Sequence, residues 1–395
     1  MNVRDLVLLD GVRTPMGEMG GSLASLTANE LGAQAAKALL AKTGIEGASI
    51  DHTVVGNALQ TSGDAIYGAR HVALKAGVPK EVPALTVNRL CGSGIQAILS
   101  GSQMILTGDA TTCLVGGIES MSQTPHVIWG ARQGFKLGQG KLEDLLMVSL
   151  FDGYCGFYMA QTSNNLSKDY GISRLEQDEY ALRSQARASA AIQAGRLAEE
   201  IVPVEVGSGK RAKTVTVDEH PRPESTMEVL AKLPTAFDKE GFVTAGNASG
   251  IVDGAAMLIL TTEAAAQARG KKPLGRILSW ATVGVEPSRM GIGPAPAIAK
   301  ALSKAGLEQK DVDLFEINEA FAGQVIAVMR EMKLDEAKLN VNGGAIALGH
   351  PLGCTGARIT LTLLKELNRR GGGIGVASAC IGGGQGIALV VEVGG

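Results

Sequence analysis

The sequence predicts an α/β protein built from two duplicated βαβαβ halves, the first of them interrupted by an inserted domain. Three observations carry this. Short apolar runs alternate with helix-like stretches along most of the chain. There are 53 glycines but only 4% aromatic residues, so the core must be Ala, Val, Ile and Leu between glycine turns. Two pairs of segments also share one spacing of 262 residues: GIEGASIDHTVVGNA from Gly44 matches GLEQKDVDLFEINEA from Gly306, and Gly94 of LCGSGIQAI matches Gly356 of GCTGARI. A spacing common to two separate segments argues for duplication.

Each element has a local reason. In the first half DLVLLDG, DHTVVGN and CLVGG read as strands, and TANELGAQAAKALLAKTG and GIQAILSGSQMIL as helices. Thr27 is placed to cap the first helix, with Glu30 three residues on as in a capping box. Gly44 and Gly306 are placed to end their helices. The second half repeats the order: GRILSWATVGV, the helix PAIAKALSKAG, DLFEINEA, the helix GARITLTLLKELNRR, and IGVASAC. Such alternation predicts largely parallel sheets covered by helices.

Residues 122–249 break the pattern. They are richer in charge and proline, as in HPRPEST, and hold a helix, SRLEQDEYALRSQARASAAIQAG, between Gly171 and Gly195, and a basic turn, GSGKRAK. After them DGAAMLILTTE reads as the last strand of the first half, the counterpart of QGIALVVEV. The division is therefore 1–121 with 250–272 for the first half, 122–249 for the insert and 273–395 for the second half.

Composition removes several classes of function. A chain of 395 residues is too long for one ordinary core. The net charge is −2, so no global basic field exists to hold nucleic acid or an anionic membrane, and an anionic ligand needs a local basic site. No apolar run reaches the roughly 18–20 residues of a membrane span. The opening MNVRDLVLLDGVRTPMG reads as a first strand, which predicts a cytoplasmic protein; a trimmed organellar matrix protein would begin the same way. Five cysteines, an odd number with no CxxC pair, argue against zinc and disulfide frameworks and for reduced thiols. Cys113 reads as a small core residue in a strand.

Cys91 is different. It stands at a corner, NRLCGSG, where Gly92 and Gly94 clear space for a ligand and a helix begins just beyond. A helix start lowers a thiol pKa and offers backbone N–H donors to an oxyanion, so the corner suits a nucleophile. In the second half His350 lies in a glycine-rich loop, Cys380 ends an apolar strand against three glycines, and Asn318 ends another strand. The GGGQG run near the chain end has no helix after it, which rules out a dinucleotide loop. Two thiols, an imidazole and an amide on equivalent strand ends point to acyl transfer through a thioester.

NRLCGSG, GGIESMS, TAGNASG, NEAFA, GHPLGCTGAR and CIGGGQG, in this order, resemble the thiolases, the acetyl-CoA acyltransferases. The resemblance runs nearly end to end. It implies the thiolase fold, a layered α-β-α-β-α core with an inserted loop domain. It implies Cys91 as the nucleophile that carries the acyl group, His350 as the base that activates it, and Cys380 as the acid/base on the acetyl carbon. Asn318 then holds a water in the oxyanion site formed with His350, and the N–H groups of Cys91 and Gly382 make the second oxyanion site. Coenzyme A and acyl-CoA are implied as substrates, with no metal or redox cofactor. Ser249 is implied as a pantetheine contact, Ala245, Met159, Phe237, Met290 and Phe321 as tunnel walls, and Arg222 as a neighbour of the adenine nucleotide. The resemblance also implies a homotetramer, a dimer of dimers, with PHVIWGARQGFKLGQG as the tetramer contact.

Acetoacetyl-specific thiolases often carry His-Met-Gly near the acyl pocket, whereas this chain has Tyr158, Met159 and Ala160. This stretch, TSGDAIYGARH and VDEHPRPE resemble the broader 3-ketoacyl-CoA thiolases. The expected reaction is therefore CoA-dependent cleavage of 3-ketoacyl-CoA to acetyl-CoA and a shortened acyl-CoA, with the reverse Claisen condensation. An acetoacetyl-CoA-specific acetyltransferase is the alternative. Cys380 argues against a decarboxylating ketoacyl synthase, and Cys91, His350 and Cys380 together argue against a non-catalytic acyl-CoA or lipid carrier.

Overall fold

The computed structural model describes residues 2–394. The first half contributes strand β1 (Leu6–Arg13), helix α1 (Ala28–Thr43), strands β2 (His52–Gly56) and β3 (Ala84–Val87), helix α2 (Ser93–Thr107) and strand β4 (Thr112–Glu119). The chain then leaves the sheet for the insert, which contains helices α3 (Met159–Asp169) and α4 (Arg174–Gln193), and returns as β5 (Val252–Thr262). The second half runs β6 (Gly275–Gly284), α5 (Pro294–Ala305), β7 (Leu314–Ile317), α6 (Ala322–Met332), α7 (Leu352–Arg369), β8 (Gly373–Ile381) and β9 (Gln385–Val393). The strand order is β7-β8-β9-β6-β1-β5-β4-β2-β3, and the halves meet where Val7 and Leu8 pair with Arg276 and Gly275.

The expected caps are present. Thr27 accepts from the Glu30 N–H while the Glu30 carboxylate accepts from Thr27, and Gly44 and Gly306 end α1 and α5 with φ of 64° and 73°. The expectation of largely parallel sheets needs correction. Among the strands of the described residues, β2–β3, β2–β4 and β7–β8 are the parallel pairs; β5 and β9 run antiparallel to both of their neighbours. Each of these strands leaves and re-enters the sheet at the same end. In the second half the turn is Gly382–Gly384, in which Gly383 and Gly384 have φ of 78° and 80°. In the first half the whole insert occupies the place of that turn.

Five layers follow from strands that are buried on both faces. On one face, Leu6, Leu8, Val115, Leu258 and Leu260 and their second-half counterparts pack on α2 and α7, which lie between the two halves of the sheet. On the outer faces, Val7, Leu9, Leu114 and Ile259 pack on α1, and Leu278, Phe315 and Val390 pack on α5 and α6. The two glycines that reveal the repeat lie where α2 and α7 cross. A Cβ on Gly94 would strike the Ala357 backbone nitrogen, and one on Gly356 would strike that of Ile95. The duplication even copies an irregularity: the pairing of β1 with β5 slips between Leu8 and Asp10, and that of β6 with β9 slips between Ile277 and Ser279.

A buried arginine ties the insert to the frame. Arg13, at the end of β1, donates from Nε to Glu200 at 3.0 Å and from its two terminal nitrogens to Asp218 at 2.7 and 2.8 Å. Asp218 also accepts from the Met16 N–H, and Glu219 accepts from the N–H groups of Glu18 and Ser22. Residues 13–22 and 218–222 are thereby welded into one wall.

Candidate active site

The site is built where strand ends of the two halves face the insert. At the first corner Leu90 has φ 46°, a left-handed conformation that is costly for leucine. Side chains on either side hold it. The Leu90 N–H donates to Asn88 Oδ1 at 2.9 Å, the Arg89 N–H donates to Ser93 Oγ at 2.9 Å, and Ser93 Oγ donates to the Leu90 carbonyl at 2.6 Å. Arg89 reaches from this corner to Gln96 and to Gln385 beside the Gly382–Gly384 turn. The Cys91 corner and the Cys380 hairpin are thus fixed to each other across the two halves.

His350 enters from the loop before α7. The segment Thr244–Gly250 runs between that loop and the NEAFA motif: Ser249 N–H donates to the Ala320 carbonyl at 3.0 Å, Ala322 N–H to Asn247 at 2.9 Å, and His350 N–H to Gly250 at 2.9 Å. Three motifs distant in sequence therefore share one site. His350 Nδ1 lies 2.6 Å from Thr355 Oγ1, which itself donates to the Pro351 carbonyl at 2.9 Å. With its one proton committed there, Thr355 accepts from Nδ1–H, which leaves the Nε2 lone pair facing the site. Asn318 Nδ2 lies 3.3 Å from Nε2, and Asn318 Oδ1 is buried without a protein partner.

Two carboxylates brace this arrangement. Glu119, fully buried, accepts from Asn57 Nδ2 and from the N–H groups of Ala58, Leu59 and Gly353, at 2.7–3.1 Å. It joins the floor under Cys91 to the start of α7. Glu319 accepts from Tyr180, Ser184, Asn340 and the Ile346 N–H, joining the NEAFA strand end to α4 and the His350 loop.

These residues open onto a cavity of about 440 Å³. Cys91, His350, Ser249, Ala245, Met159, Phe237, Met290 and Phe321 line it. Cys380 lies directly behind, packed against Met290, Ala320, Met159 and Phe321. Gly382 presents its N–H to the Cys91 thiol. Arg222 is not at the wall. Its guanidinium turns back onto the carbonyls of Glu219, His220 and Pro221 and onto Glu18, so its charge is spent on holding the HPRP turn. The basic turn GSGKRAK is exposed between two short strands.

The chain was compared with known proteins. A family model described as thiolase, N-terminal domain matches residues 6–264, and one described as thiolase, C-terminal domain matches residues 271–393. The chain belongs to the thiolase family. It is 52% identical to the human mitochondrial 3-ketoacyl-CoA thiolase over 99% of this chain and 98% of that one. It is 48% identical to an acetyl-CoA acetyltransferase of Rhizobium meliloti over 99% and 100% of the two chains. The crystal structure of the human enzyme superposes with a TM-score of 0.97, covering 100% of both chains, and its complex with CoA with a TM-score of 0.96, covering 99% and 98%.

The electrostatics of this thiolase differ from the sequence expectation at one point. The start of a helix was expected to lower the Cys91 pKa. Burial instead pushes the thiol up to about 11, with Glu119 adding to the rise and the N–H groups of Gly382 and Cys91 opposing it. Burial holds His350 down at about 3, with the Arg358 charge acting in the same direction. Burial and the neighbouring Cys91 keep the Cys380 thiol well above the usual range. At pH 7 the Cys91 and Cys380 thiols and the His350 imidazole are therefore all uncharged. Sequence reasoning missed Thr355, Glu119, Glu319 and the wall that carries Met19 and His220. Thr355 had a signal, since GHPLGCTG places it five residues after the histidine at the start of a helix.

Proposed function

We propose that this thiolase cleaves 3-ketoacyl-CoA with free CoA through an acyl thioester on Cys91, and runs the Claisen condensation in reverse. One observation carries the reading: His350 and Cys91 line the same cavity, and Thr355 fixes the His350 Nδ1 proton so that Nε2 is the nitrogen left to act as a base. Cys91 gives its proton to His350 as the sulfur attacks the C3 ketone, because a thiol at about 11 is not ionised beforehand. The C2–C3 bond breaks, its electron pair forms the acetyl-CoA enolate, and Cys380 donates a proton to that carbon. Free CoA then yields its proton to Cys380 and attacks the thioester. The Cys91–acyl bond breaks, and Cys91 recovers its proton from His350. The Gly382 and Cys91 N–H groups suit the oxyanion on the acyl group, and the free Asn318 Oδ1 suits an ordered water beside His350.

Pantetheine fits the side of the cavity bearing Ser249, Ala245 and Phe237, whose outer residues Met19, Phe237 and Ile251 are 48%, 46% and 37% exposed. Arg222 acts on the adenine nucleotide only if it leaves Glu18. The homotetramer is supported by two apolar surfaces. The hairpin 126–144 exposes Ile128, Trp129, Phe135, Leu137 and Leu142, and β3 ends the sheet with Leu85, Ile66 and Tyr67 exposed nearby. Light scattering that finds only monomer would remove this part. The reaction needs an aqueous compartment, which we take as the cytoplasm; fractionation that finds the protein in an organellar matrix corrects it.

The test is a CoA-dependent cleavage assay on acetoacetyl-CoA and an eight-carbon 3-ketoacyl-CoA. Comparable or higher kcat/KM on the longer substrate is the expected result. Cleavage of acetoacetyl-CoA alone makes the enzyme an acetyl-CoA acetyltransferase. Cys91→Ala should abolish turnover; retained turnover rejects the mechanism.

A further inference from the structure

Cys91 and Cys380 belong to separate apolar clusters. Cys380 packs with Met290 and Ala320, flanked by Met159 and Phe321. Cys91 and Leu150 pack on a different group: Ala58, Leu59, Met121, Leu146 and Leu352. Met121, Leu150 and Leu352 of that group face the cavity, while Ala58, Leu59 and Leu146 stand behind them. Thiolysis makes two fragments from one substrate. The acetyl carbon must lie within reach of Cys380. The shortened acyl group hangs on Cys91 Sγ, and so extends along the cluster that Cys91 touches. We propose that Met121, Leu150 and Leu352 form the acyl branch of the cavity and that Leu150 sets the longest chain accepted.

This assigns chain length to Leu150 and not to the side chains of Tyr158–Ala160, although the Met159 N–H donates to the Leu150 carbonyl at 3.0 Å. Tyr158 packs edge-to-face with Phe151 and at a tilt on Phe237, with ring centroids 5.1 and 5.0 Å apart, which joins it to the exposed, CoA-facing wall. Leu150 instead directly follows the one-turn helix Leu145–Ser149, a piece of the insert. The Leu150 N–H closes that turn on the Leu146 carbonyl at 3.1 Å, and the Leu146 N–H donates to Asp144 Oδ1 at 2.9 Å. Met121 and Leu352 belong to the buried frame, whereas Leu150 is half-buried, so Leu150 is where size can change without repacking the frame. The chemistry of the branch also names the substrate class. No cation lines it, and the Glu119 carboxylate beneath Ala58 and Leu59 is already saturated by four donors. It suits a saturated alkyl chain and excludes an acyl chain ending in a carboxylate, whose desolvation nothing there would offset.

The inference rests on the thiolysis reading, and the experiment separates the two. Cleavage of acetoacetyl-CoA by the wild type tests that reading. The ratio of kcat/KM for eight-carbon to four-carbon 3-ketoacyl-CoA tests this one. Leu150→Trp should lower the ratio by about tenfold or more, and Leu150→Ala should raise the corresponding twelve-carbon ratio by about threefold or more. The wild type should also prefer a six-carbon 3-ketoacyl-CoA to its ω-carboxylate analogue by about a hundredfold. If Leu150→Trp does not fold, Met121→Phe reads the same ratio. Ratios that move by less than about twofold in both directions, or a wild type that accepts the ω-carboxylate equally, overturn the proposal while leaving thiolysis standing.

Discussion

Cys91 in the first half and Gly353 in the second occupy equivalent places 262 residues apart, as do Ile118 and Cys380, and Gly56 and Asn318. The backbones agree: β2 pairs with β4 in the same register as β7 with β8, Val55 facing Gly116 and Ile317 facing Ser378. Yet at each pair only one half carries a reactive side chain. Packing shows why. At Gly353 a Cβ would run into the carbonyls of Ile118 and Gly56, so this place cannot hold a cysteine. At Gly56 a Cβ would run into Ser93 of the same half, so the frame supplied twice by duplication is filled differently at its equivalent places. The second difference is the return path. A three-glycine turn closes the second half, and the insert closes the first, bringing Tyr158, Met159 and Thr244–Ser249 over the strand ends.

The largest expected effect breaks the frame. Gly94→Ala and Gly356→Ala should be equally damaging, each costing about 3 kcal/mol or more, because neither helix backbone can yield. Gly63→Ala, where a Cβ meets nothing within 4 Å, should cost less than about 0.5 kcal/mol in the same melting experiment. Damage at one crossing glycine alone would mean that the halves are not packed as equals.

A smaller effect sharpens the division of labour. Thr355→Val removes the partner of His350 Nδ1 and should lower kcat by about ten- to a hundredfold with little change in KM, and Thr355→Ser should restore it. An equal loss in both variants would reduce Thr355 to packing.

The next effect is on pH. His350 stays neutral in the folded chain down to about 3, whereas an unfolded histidine titrates near 6.5. Between these values the unfolded state binds the extra proton, so stability falls as pH falls, by about 2 kcal/mol from pH 7.5 to pH 5. Glu119 has the opposite sign. Burial raises it from 4.5 to about 7, so its folded form gains a proton in the same window. Denaturation of wild type and His350→Asn across this range isolates the histidine part. Equal slopes would contradict a buried neutral imidazole.

The smallest effect concerns the insert. Lys210→Ala with Arg211→Ala, on an exposed turn, should change KM for CoA by less than about twofold. A larger rise would give that turn a role in steering the nucleotide.

Much of this was legible in the sequence, for identifiable reasons. The capping box at Thr27 and the glycines after α1 and α5 are local signals, and Gly94 and Gly356 mark the repeat because the crossing tolerates nothing larger. Cys91, Cys380 and Asn318 follow or end strands, as their glycine-rich motifs suggested, whereas His350 lies in a loop between the helix Ala345–Leu348 and α7 and not at a strand end. What escaped was non-local. Arg13 meets Asp218 across some two hundred positions, and Met19 and His220 line the cavity from the two segments that this pairing helps to hold together. The strand directions were misread because alternating β and α elements say nothing of where an insert returns. The Cys91 pKa was misjudged because helix position is visible in a sequence, whereas burial is not.

The most direct test of the account is peptide mass spectrometry after brief exposure to an eight-carbon 3-ketoacyl-CoA without free CoA. The account predicts a six-carbon acyl group on Cys91 and none on Cys380, removed when CoA is added. An acyl group on Cys380, or none on either cysteine while cleavage proceeds, would contradict it.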